Sequence, residues 1–141
     1  MKKVYLAARF PQREEMESYV PLFTQNKYDV IARWVFGGEE GLTREDIAIL
    51  DLEDVDKCDV FVLFTQPYGT LVPGGGRFVE FGYAIAKGKE IHVIGDRENV
   101  FMHTPGISVH NSLAEFFRAT ERQVAQSDDS RPAIILPKKV A

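Results

Sequence analysis

Hydrophobic residues recur along this chain in short runs, and the segments between the runs have the periodicity of amphipathic helices. Four runs have the length and the β-branched or aromatic content of buried strands, and a fifth strand is expected near the end: 4–8, 28–34, 59–64, 90–94 and 107–110. The run DVFVLF shows the clearest pattern, because a parallel strand covered by helices on both faces is apolar at nearly every position.

Four helices are predicted between and after these strands. The first follows Pro11, and the second begins at Thr43, where Asp46 stands three residues later in the arrangement of a helix N-terminus. A third helix follows the glycines at 74–76, and a fourth covers 113–124. Because strands and helices alternate, we expect an α/β fold with a doubly wound (Rossmann/flavodoxin-like) five-stranded parallel sheet flanked by helices.

The predicted sheet places a ligand cleft at the carboxyl ends of its strands. The loops that follow the first four strands meet at that edge: 9–13, 34–42, 65–77 and 95–104. We expect one domain, 1–125, followed by a C-terminal tail, 126–141, whose short apolar segment either covers a partner subunit or is disordered.

Composition limits the class of partner. A net charge of −4 without a Lys/Arg-rich run argues against nucleic-acid and membrane binding, so a small molecule is expected. The single cysteine, Cys58, is interpreted as a packed thiol in a reducing compartment. We find no apolar run typical of a signal peptide or a membrane span and expect a cytoplasmic protein. The three histidines lack metal-ligand spacing, so neither a metal nor a cofactor is expected.

Three consecutive glycines, Gly74, Gly75 and Gly76, lead into the third helix. Glycine lets a ligand approach main-chain N–H groups, so a loop of this kind opening a helix can hold an anion. Glu80 is predicted in the first turn of that helix, where the helix dipole would keep its carboxylate ionised. Its apolar neighbours place it at a pocket wall; the alternative is a carboxylate that only stabilises the helix.

Asp51, on the helix before the third strand, is the strongest candidate for a partner of Glu80. At i,i+4 spacing it shares a helix face with Ile47 and Val55, so apolar residues flank it. The alternative is a single solvated acidic face made of all the acids between 51 and 56.

Three segments resemble the nucleoside 2-deoxyribosyltransferase family, including its deoxynucleotide N-hydrolase branch: YLAAR, DLEDVDKCDVFVLFTQP and GGGRFVEFGYAIAKGK. The resemblance extends over 4–117, most of the predicted domain. The last segment is the most specific of the three, because a glycine loop, a glutamate and a Gly-Tyr-Ala sequence follow one another at fixed spacing.

The resemblance implies retaining chemistry at an N-glycosidic bond. Glu80 matches the family nucleophile, which attacks C1′ of a deoxyribose and forms a glycosyl ester, and Asp51 matches the acid that assists departure of the base. Tyr5 matches a position whose phenol holds the nucleophile in place. The chemistry is sound in itself, because an anionic carboxylate stabilises an oxocarbenium-like transition state and protonation makes the base a better leaving group.

Other residues are candidates for substrate binding. Arg9 and Arg13, in the first βα loop, either bind a 5′-phosphate or hold surface acids. The three glycines with Arg77 are expected to contact sugar or phosphate. Trp34 and Phe36 are candidates for stacking on the base, with the alternative that Trp34 is a core residue.

The resemblance also implies an assembly. Asn99 and His103 occupy the region that reaches into a neighbouring subunit's site in the family, with a structural His as the alternative. The apolar residues at 100–102 support a homodimer or a larger homo-oligomer with shared active sites. No nucleic acid or membrane is expected as a partner.

Two departures concern specificity. The loop 67–80 is longer than in the nucleotide-hydrolase branch, and it has no carboxylate before Glu80, where transferases often have one. The PGGG run is also similar to a loop of the cytokinin-activating phosphoribohydrolases, but their Gly-Thr and upstream glycine motif are absent. The leading expectation is transfer of deoxyribose to another base, with hydrolysis of a deoxynucleoside 5′-monophosphate as the alternative and a nucleotide sensor without turnover as the second alternative.

Overall fold

The computed structural model describes residues 1–128, which form a parallel sheet with helices on both faces. The strands are Lys2–Ala7 (β1), Tyr28–Val30 (β2), Val60–Phe64 (β3), Glu90–Ile94 (β4) and Ser108–His110 (β5). The helices are Arg13–Gln25 (α1), Arg44–Lys57 (α2), Gly76–Ala86 (α3) and Leu113–Asp128 (α4). All strand pairs are parallel, in the order β2-β1-β3-β4-β5. The predicted fold class is confirmed.

The sheet reverses its winding direction between β1 and β3. The chain moves from β1 outward to β2, and then returns to place β3 on the other side of β1, with Tyr5 beside Phe61 and Ala7 beside Leu63. In such a sheet the loops after the two central strands separate and leave a crevice at their carboxyl ends. The loops that begin after β1 and β3 therefore border the candidate site.

The central strands are the centre of the hydrophobic core. The side chains of Val4, Tyr5 and Leu6 in β1 are fully buried, and the first four residues of β3 are fully buried as well. Such strands need apolar side chains on both faces, which explains the continuous apolar run of β3. The strands that border the candidate site are therefore part of the packed core.

The second strand is shorter than predicted. Only Tyr28–Val30 pairs with β1, and a 3-10 turn covers Arg33–Phe36, which was predicted to continue the strand as far as Trp34. The buried carboxylate of Asp54 accepts a hydrogen bond from the backbone N–H of Arg33 at 2.9 Å, and Gly37 ends the turn with a φ of +76°. A side chain distant in sequence thus bends the chain away from the sheet.

The helix starts follow their sequence signals in part. Thr43 caps α2, its hydroxyl accepting from the backbone N–H of Asp46 at 3.1 Å, which confirms that prediction. α4 extends to Asp128, beyond the predicted end at 124, so the first residues assigned to the tail belong to this helix. The remaining tail residues, 129–141, lie outside the described part of the chain.

Across residues 1–128 we find no helix that combines the length and the apolar character needed to cross a bilayer.

Candidate active site

A hydrogen bond between Tyr5 and Glu80 forms the centre of the site. Tyr5 lies on β1, and its hydroxyl donates to Oε2 of Glu80 on α3. The tyrosine side chain is fully buried, and its ring stacks on Phe61 of β3 with centroids 5.5 Å apart and an angle of 6° between the planes. The core therefore fixes the phenol, and the phenol fixes one carboxylate oxygen.

Glu80 lies one turn deeper in its helix than predicted. α3 begins at Gly76 and has no acidic residue in its first turn, so the helix N-terminus is not what sets the charge of this carboxyl. Burial raises the pKa of Glu80 to about 8, the Tyr5 hydrogen bond opposes that rise, and the charges of Asp51 and Glu39 add to it. The predicted place in the first turn is therefore wrong, and the pKa of this carboxyl is raised rather than held low by the helix N-terminus.

Asp51 is the second carboxyl of the site. Burial raises its pKa to about 7, and Glu39 and Asp54 raise it further, while the positive charge of Arg33 opposes them. The charge of Asp51 raises the pKa of both Glu80 and Tyr5, and the charge of Glu80 raises the pKa of Tyr5 as well. The structure thus brings together the three residues predicted to be catalytic.

The acids between 51 and 56 do not form one solvated face. Asp54 is 3% exposed and forms an ion pair with Arg33 at 2.9 Å. Glu53 and Asp56 are about half exposed and pair with Lys57 and Lys87 at 3.5 and 3.2 Å. Asp54 is therefore an interior residue, Asp51 belongs to the site, and Glu53 and Asp56 lie on the surface. The i,i+4 spacing of Asp51 with apolar residues indicated that this acid differs from the others.

Glu39 is a third carboxyl of the site that the sequence analysis missed. It is half-buried although Gly38 and Glu40 on either side are exposed, and its negative charge raises the pKa of both Asp51 and Glu80. The available signal was its place in a glycine-rich loop at the carboxyl edge of the sheet. The direction of a loop side chain cannot be read from periodicity, so this signal was not specific.

Arg13 holds that loop rather than facing open space. Its Nη1 donates to the carbonyl oxygen of Val35 at 2.8 Å and lies 3.6 Å from the carboxylate of Glu17. A Cβ placed on Gly37 would meet the same Nη1 at 3.3 Å, so the guanidinium packs directly against the loop backbone. Arg13 was predicted either to bind a 5′-phosphate or to hold surface acids. Its contacts with Glu17 and with the loop backbone agree with the second role.

The two aromatic candidates for base stacking differ in exposure. Trp34 is a core residue, 6% exposed, whose indole N–H donates to the carbonyl oxygen of Leu6 at 2.8 Å. Phe36 is 49% exposed at the end of the 3-10 turn. The core alternative thus describes Trp34, and Phe36 is the aromatic ring that this segment presents to solvent.

The glycine loop is open and is braced from the first βα loop. Nε of Arg9 donates to the carbonyl oxygen of Pro73 at 3.3 Å. Gly74 has a φ of +108°, a conformation that favours glycine, and a Cβ added at Gly75 or Gly76 would meet nothing within 4 Å. The N-terminus of α3 therefore faces free space next to a cationic side chain.

Arg77 lies inside the protein. It is 3% exposed, its Nη2 pairs with Oε1 of Glu98 at 3.1 Å, and its guanidinium carbon lies 4.2 Å from the centre of the Phe78 ring. Burial lowers the pKa of Arg77, and Glu98 opposes that shift. Within the described residues, Nε and Nη1 of Arg77 and Oε2 of Glu98 are buried without a hydrogen-bond partner. The predicted sugar or phosphate contact would require this ion pair to rearrange.

Asn99 and His103 flank a short 3-10 turn, Val100–His103. The side-chain oxygen of Asn99 accepts from the backbone N–H of Phe101 at 3.0 Å, and His103 is exposed. Val100 and Phe101 are 72% and 67% exposed. Met102, which was predicted to share their exposed surface, is fully buried.

Two histidines on neighbouring strands, His92 of β4 and His110 of β5, contact each other. Nδ1 of His92 lies 2.9 Å from Nε2 of His110, and its Nε2 lies 2.8 Å from Oε2 of Glu90. Within residues 1–128, no group of three or more His, Cys, Asp or Glu side chains has an arrangement that would hold a metal ion.

Solved structures of known proteins share the fold of this chain. No protein-family model and no curated protein matches the sequence. Among solved structures, the CMP N-glycosidase BcmB of Clostridium botulinum matches with a TM-score of 0.61 and 21% identity over 86% of this chain and 99% of its own. A 2-deoxyribosyltransferase from Leishmania mexicana matches with a TM-score of 0.65 and 18% identity over 86% and 98%. At the level of the fold, the chain is therefore similar to these two enzymes over nearly their whole length, as its motifs indicate.

Proposed function

We propose that this protein is an enzyme of the nucleoside 2-deoxyribosyltransferase family that cleaves the N-glycosidic bond of 2′-deoxynucleosides and transfers the sugar to another nucleobase. The observation that carries the proposal is the buried Tyr5 hydroxyl bonded to Glu80, with Asp51 near enough for its charge to raise the pKa of both groups. The two similar structures are those of an N-glycosidase and a deoxyribosyltransferase, which supports an N-glycosidic bond as the one that reacts.

The reaction uses the two carboxyls in turn. The carboxylate of Glu80 attacks C1′, the bond from C1′ to the base nitrogen breaks with its electron pair passing to the base, and Asp51 gives that base a proton. In the second half, a nitrogen of the acceptor base attacks C1′, the ester bond to Glu80 breaks, and Asp51 takes the proton back. Two inversions retain the configuration at C1′.

Hydrolysis of a 2′-deoxynucleoside 5′-monophosphate is the second candidate. It is favoured by Arg9 beside the open glycine loop, since a cation and a free helix N-terminus both attract a phosphate. The lack of a carboxylate between 67 and 79 points the same way. The acceptor in this case is water, activated by Asp51.

One experiment separates the candidates. The protein is incubated with a 2′-deoxynucleoside and a different free base, and separately with the 5′-monophosphate, and products are identified by chromatography with mass detection. A new nucleoside supports transfer, free sugar or sugar phosphate supports hydrolysis, and a tightly bound ligand recovered unchanged supports a sensor. Glu80→Gln is the negative control, because loss of a covalent nucleophile costs several orders of magnitude in turnover.

A covalent intermediate can be tested independently of turnover. A 2′-fluoro-2′-deoxynucleoside slows both steps, because fluorine destabilises positive charge at C1′. Mass spectrometry should then find the fluorinated sugar on the peptide that contains Glu80. Adducts elsewhere, or none while the natural substrate is cleaved, would contradict the nucleophilic role.

Assembly into a homodimer or larger homo-oligomer is proposed from the exposed pair Val100 and Phe101, which follow Asn99 on a loop at the carboxyl edge of the sheet. Two adjacent apolar side chains exposed by 72% and 67% are typical of a surface covered by another subunit. Sedimentation of the wild type and of Phe101→Asp tests this. A fully active monomeric wild type would contradict shared active sites.

A further inference from the structure

We propose that His92 and His110 form an acid-sensitive contact, which accepts one added proton while intact and must open to accept a second, so that acid loosens the β5 edge of the sheet. The inference goes beyond the proposed reaction, because neither histidine has a role in it. We call these two side chains the histidine pair.

Glu90 sets the tautomer of His92. Its Oε2 lies 2.8 Å from Nε2 of His92, and this hydrogen bond is the main cause that lowers the pKa of Glu90. An ionised carboxylate only accepts, so Nε2 of His92 carries a hydrogen and donates it. The other ring nitrogen of His92, Nδ1, faces Nε2 of His110 at 2.9 Å.

The contact between the two rings has room for one hydrogen. In the neutral pair this hydrogen lies on Nε2 of His110, and Nδ1 of His92 accepts it. A first added proton binds at Nδ1 of His110 and leaves the contact unchanged. A second would put an N–H on both facing nitrogens, and two donors at 2.9 Å repel each other. The histidine pair must therefore open before it can carry two added protons.

The charged groups around the histidine pair favour one added proton over two. Glu90 of β4 contacts the pair directly, but Lys2 of β1 lies 3.2 Å from its other carboxylate oxygen and offsets its charge. Glu115 of α4 favours a charged His110, although its carboxylate also accepts a backbone N–H at 3.1 Å. Burial raises the pKa of Tyr28 on β2, so this phenol stays neutral in acid.

Burial makes the charged pair unfavourable. His92 is 2% exposed, and the Phe116 ring stands nearly perpendicular to both imidazoles, with centroids 4.9 and 5.5 Å away. Burial lowers the pKa of His110, the charge of His92 lowers it further, and Glu115 opposes both. In the unfolded chain each histidine binds a proton below about pH 6.5. Because the unfolded state then binds more protons than the folded state, stability decreases as the pH falls below that value.

The histidine pair lies where β5 supports a loop of the candidate site. β5 is a three-residue edge strand, and all three of its residues are half-buried. The carbonyl oxygen of His110 accepts from the backbone N–H of Gly95 at 2.9 Å, at the start of the loop 95–104. Opening of the pair therefore loosens both the edge strand and the base of this loop.

Nitrogen-15 NMR of the imidazole rings counts the protons in the folded wild type, without substrate. Between pH 8 and 5, we expect His92 and His110 to take up one proton together, with Nε2 of His92 protonated throughout. The second uptake should have a midpoint at least about two pH units below the first. Two uptakes with midpoints within about 0.5 of each other, while the β5 amides stay protected from exchange, would overturn the proposal.

His110→Gln tests the effect on stability. Its amide can donate to Nδ1 of His92 or accept from it, and it has no charge, so the proton deficit of the folded state disappears. Below pH 6.5, the folding equilibrium constant of the wild type should fall relative to that of the variant, approaching about tenfold per pH unit. Urea denaturation at each pH measures it. Equal pH dependence in the two proteins would refute the proposal.

The matched control is His103→Gln, because His103 is exposed on another loop. It should keep the pH dependence of the wild type, and a control that behaves like His110→Gln would count against the assigned pair. If His110→Gln does not fold, the NMR proton count in the wild type still decides the question.

Amide exchange locates the opening. As the pH falls from 7 to 5, protection of the Gly95 N–H, corrected for its intrinsic exchange rate, should fall by about tenfold or more, while the amides of β3 keep theirs. In His110→Gln the protection at Gly95 should stay constant. Equal loss of protection across the whole sheet would indicate global unfolding and contradict a release confined to β5.

Discussion

The hydroxyl of Tyr5 donates a hydrogen bond to Glu80 across 75 positions of sequence, from the first strand to the helix that follows the glycine loop. The tyrosine ring is fixed by stacking on Phe61, so the donor is oriented before any substrate arrives. A preorganised donor of this kind stabilises developing charge without a cost of reorganisation during the reaction. Replacing Tyr5 by Phe removes only this hydroxyl, so the variant measures the effect of the hydrogen bond on the Glu80 carboxyl.

Tyr5→Phe should lower kcat by about 10- to 100-fold, since a hydrogen bond to a charged group contributes about 1.5–3 kcal/mol. The acidic limb of the kcat/KM profile should move to higher pH, because the hydrogen bond that favours ionised Glu80 is lost. Steady-state kinetics at a series of pH values measures both effects.

The control is Tyr19→Phe, which removes a hydroxyl that donates to surface Glu15 at 2.7 Å. It should leave the kinetic profile unchanged. A Tyr5→Phe enzyme with the wild-type acidic limb would show that the phenol has no influence on the nucleophile.

Glu80→Gln should stabilise the fold at alkaline pH. The pKa of Glu80 is raised from 4.5 to about 8 in the folded protein, so the unfolded state loses its proton first as the pH rises. Wild-type stability therefore decreases between about pH 4.5 and 8, and the variant lacks this decrease. At pH 8.5 we expect the variant's free energy of unfolding to be higher by on the order of 2–4 kcal/mol, with little difference at pH 4.

Urea denaturation at both pH values measures the effect, with Glu121→Gln on the exposed face of α4 as the control for loss of a carboxylate. A difference between Glu80→Gln and wild type that does not change with pH would contradict the raised pKa.

Asp51→Asn should lower kcat by about 100-fold or more while KM changes by less than about threefold, because the lost proton donor acts at the transition state. The loss should be smaller with a 7-methylguanine deoxynucleoside, whose base leaves without needing a proton. Asp56→Asn is the control on the same helix, since its carboxylate is half exposed and pairs with Lys87. Equal losses on both substrates would move the acid role to another residue.

Arg77→Leu should destabilise the fold by about 3–5 kcal/mol, because it leaves Glu98 as a buried unpaired charge. Replacing both residues by Leu should recover a large part of that loss. The double-mutant cycle, measured by urea denaturation, gives the coupling energy of the pair. Additive losses would show that the two side chains do not interact in solution.

Much of the fold was predictable because the relevant signals are local. The apolar run of β3 and the Thr43–Asp46 pair are both read over a few residues, and both agree with the structure. The second strand was predicted too long, because a buried carboxylate 21 positions away from Arg33 bends the chain there. A contact of this kind does not change the hydrophobic pattern of the segment whose conformation it determines, so that pattern could not predict it.

By itself, the sequence determined the strand and helix types and the parallel sheet, and its resemblance to a known family led to Tyr5, Asp51 and Glu80 as the proposed catalytic residues. Only the tertiary structure decided that Glu80 lies half-buried in the second turn of its helix and is bonded to Tyr5, and that Arg77 is an interior residue. The reason is physical: periodicity depends on near neighbours, whereas the charge of a carboxyl depends on water excluded by residues that folding brings from distant parts of the chain.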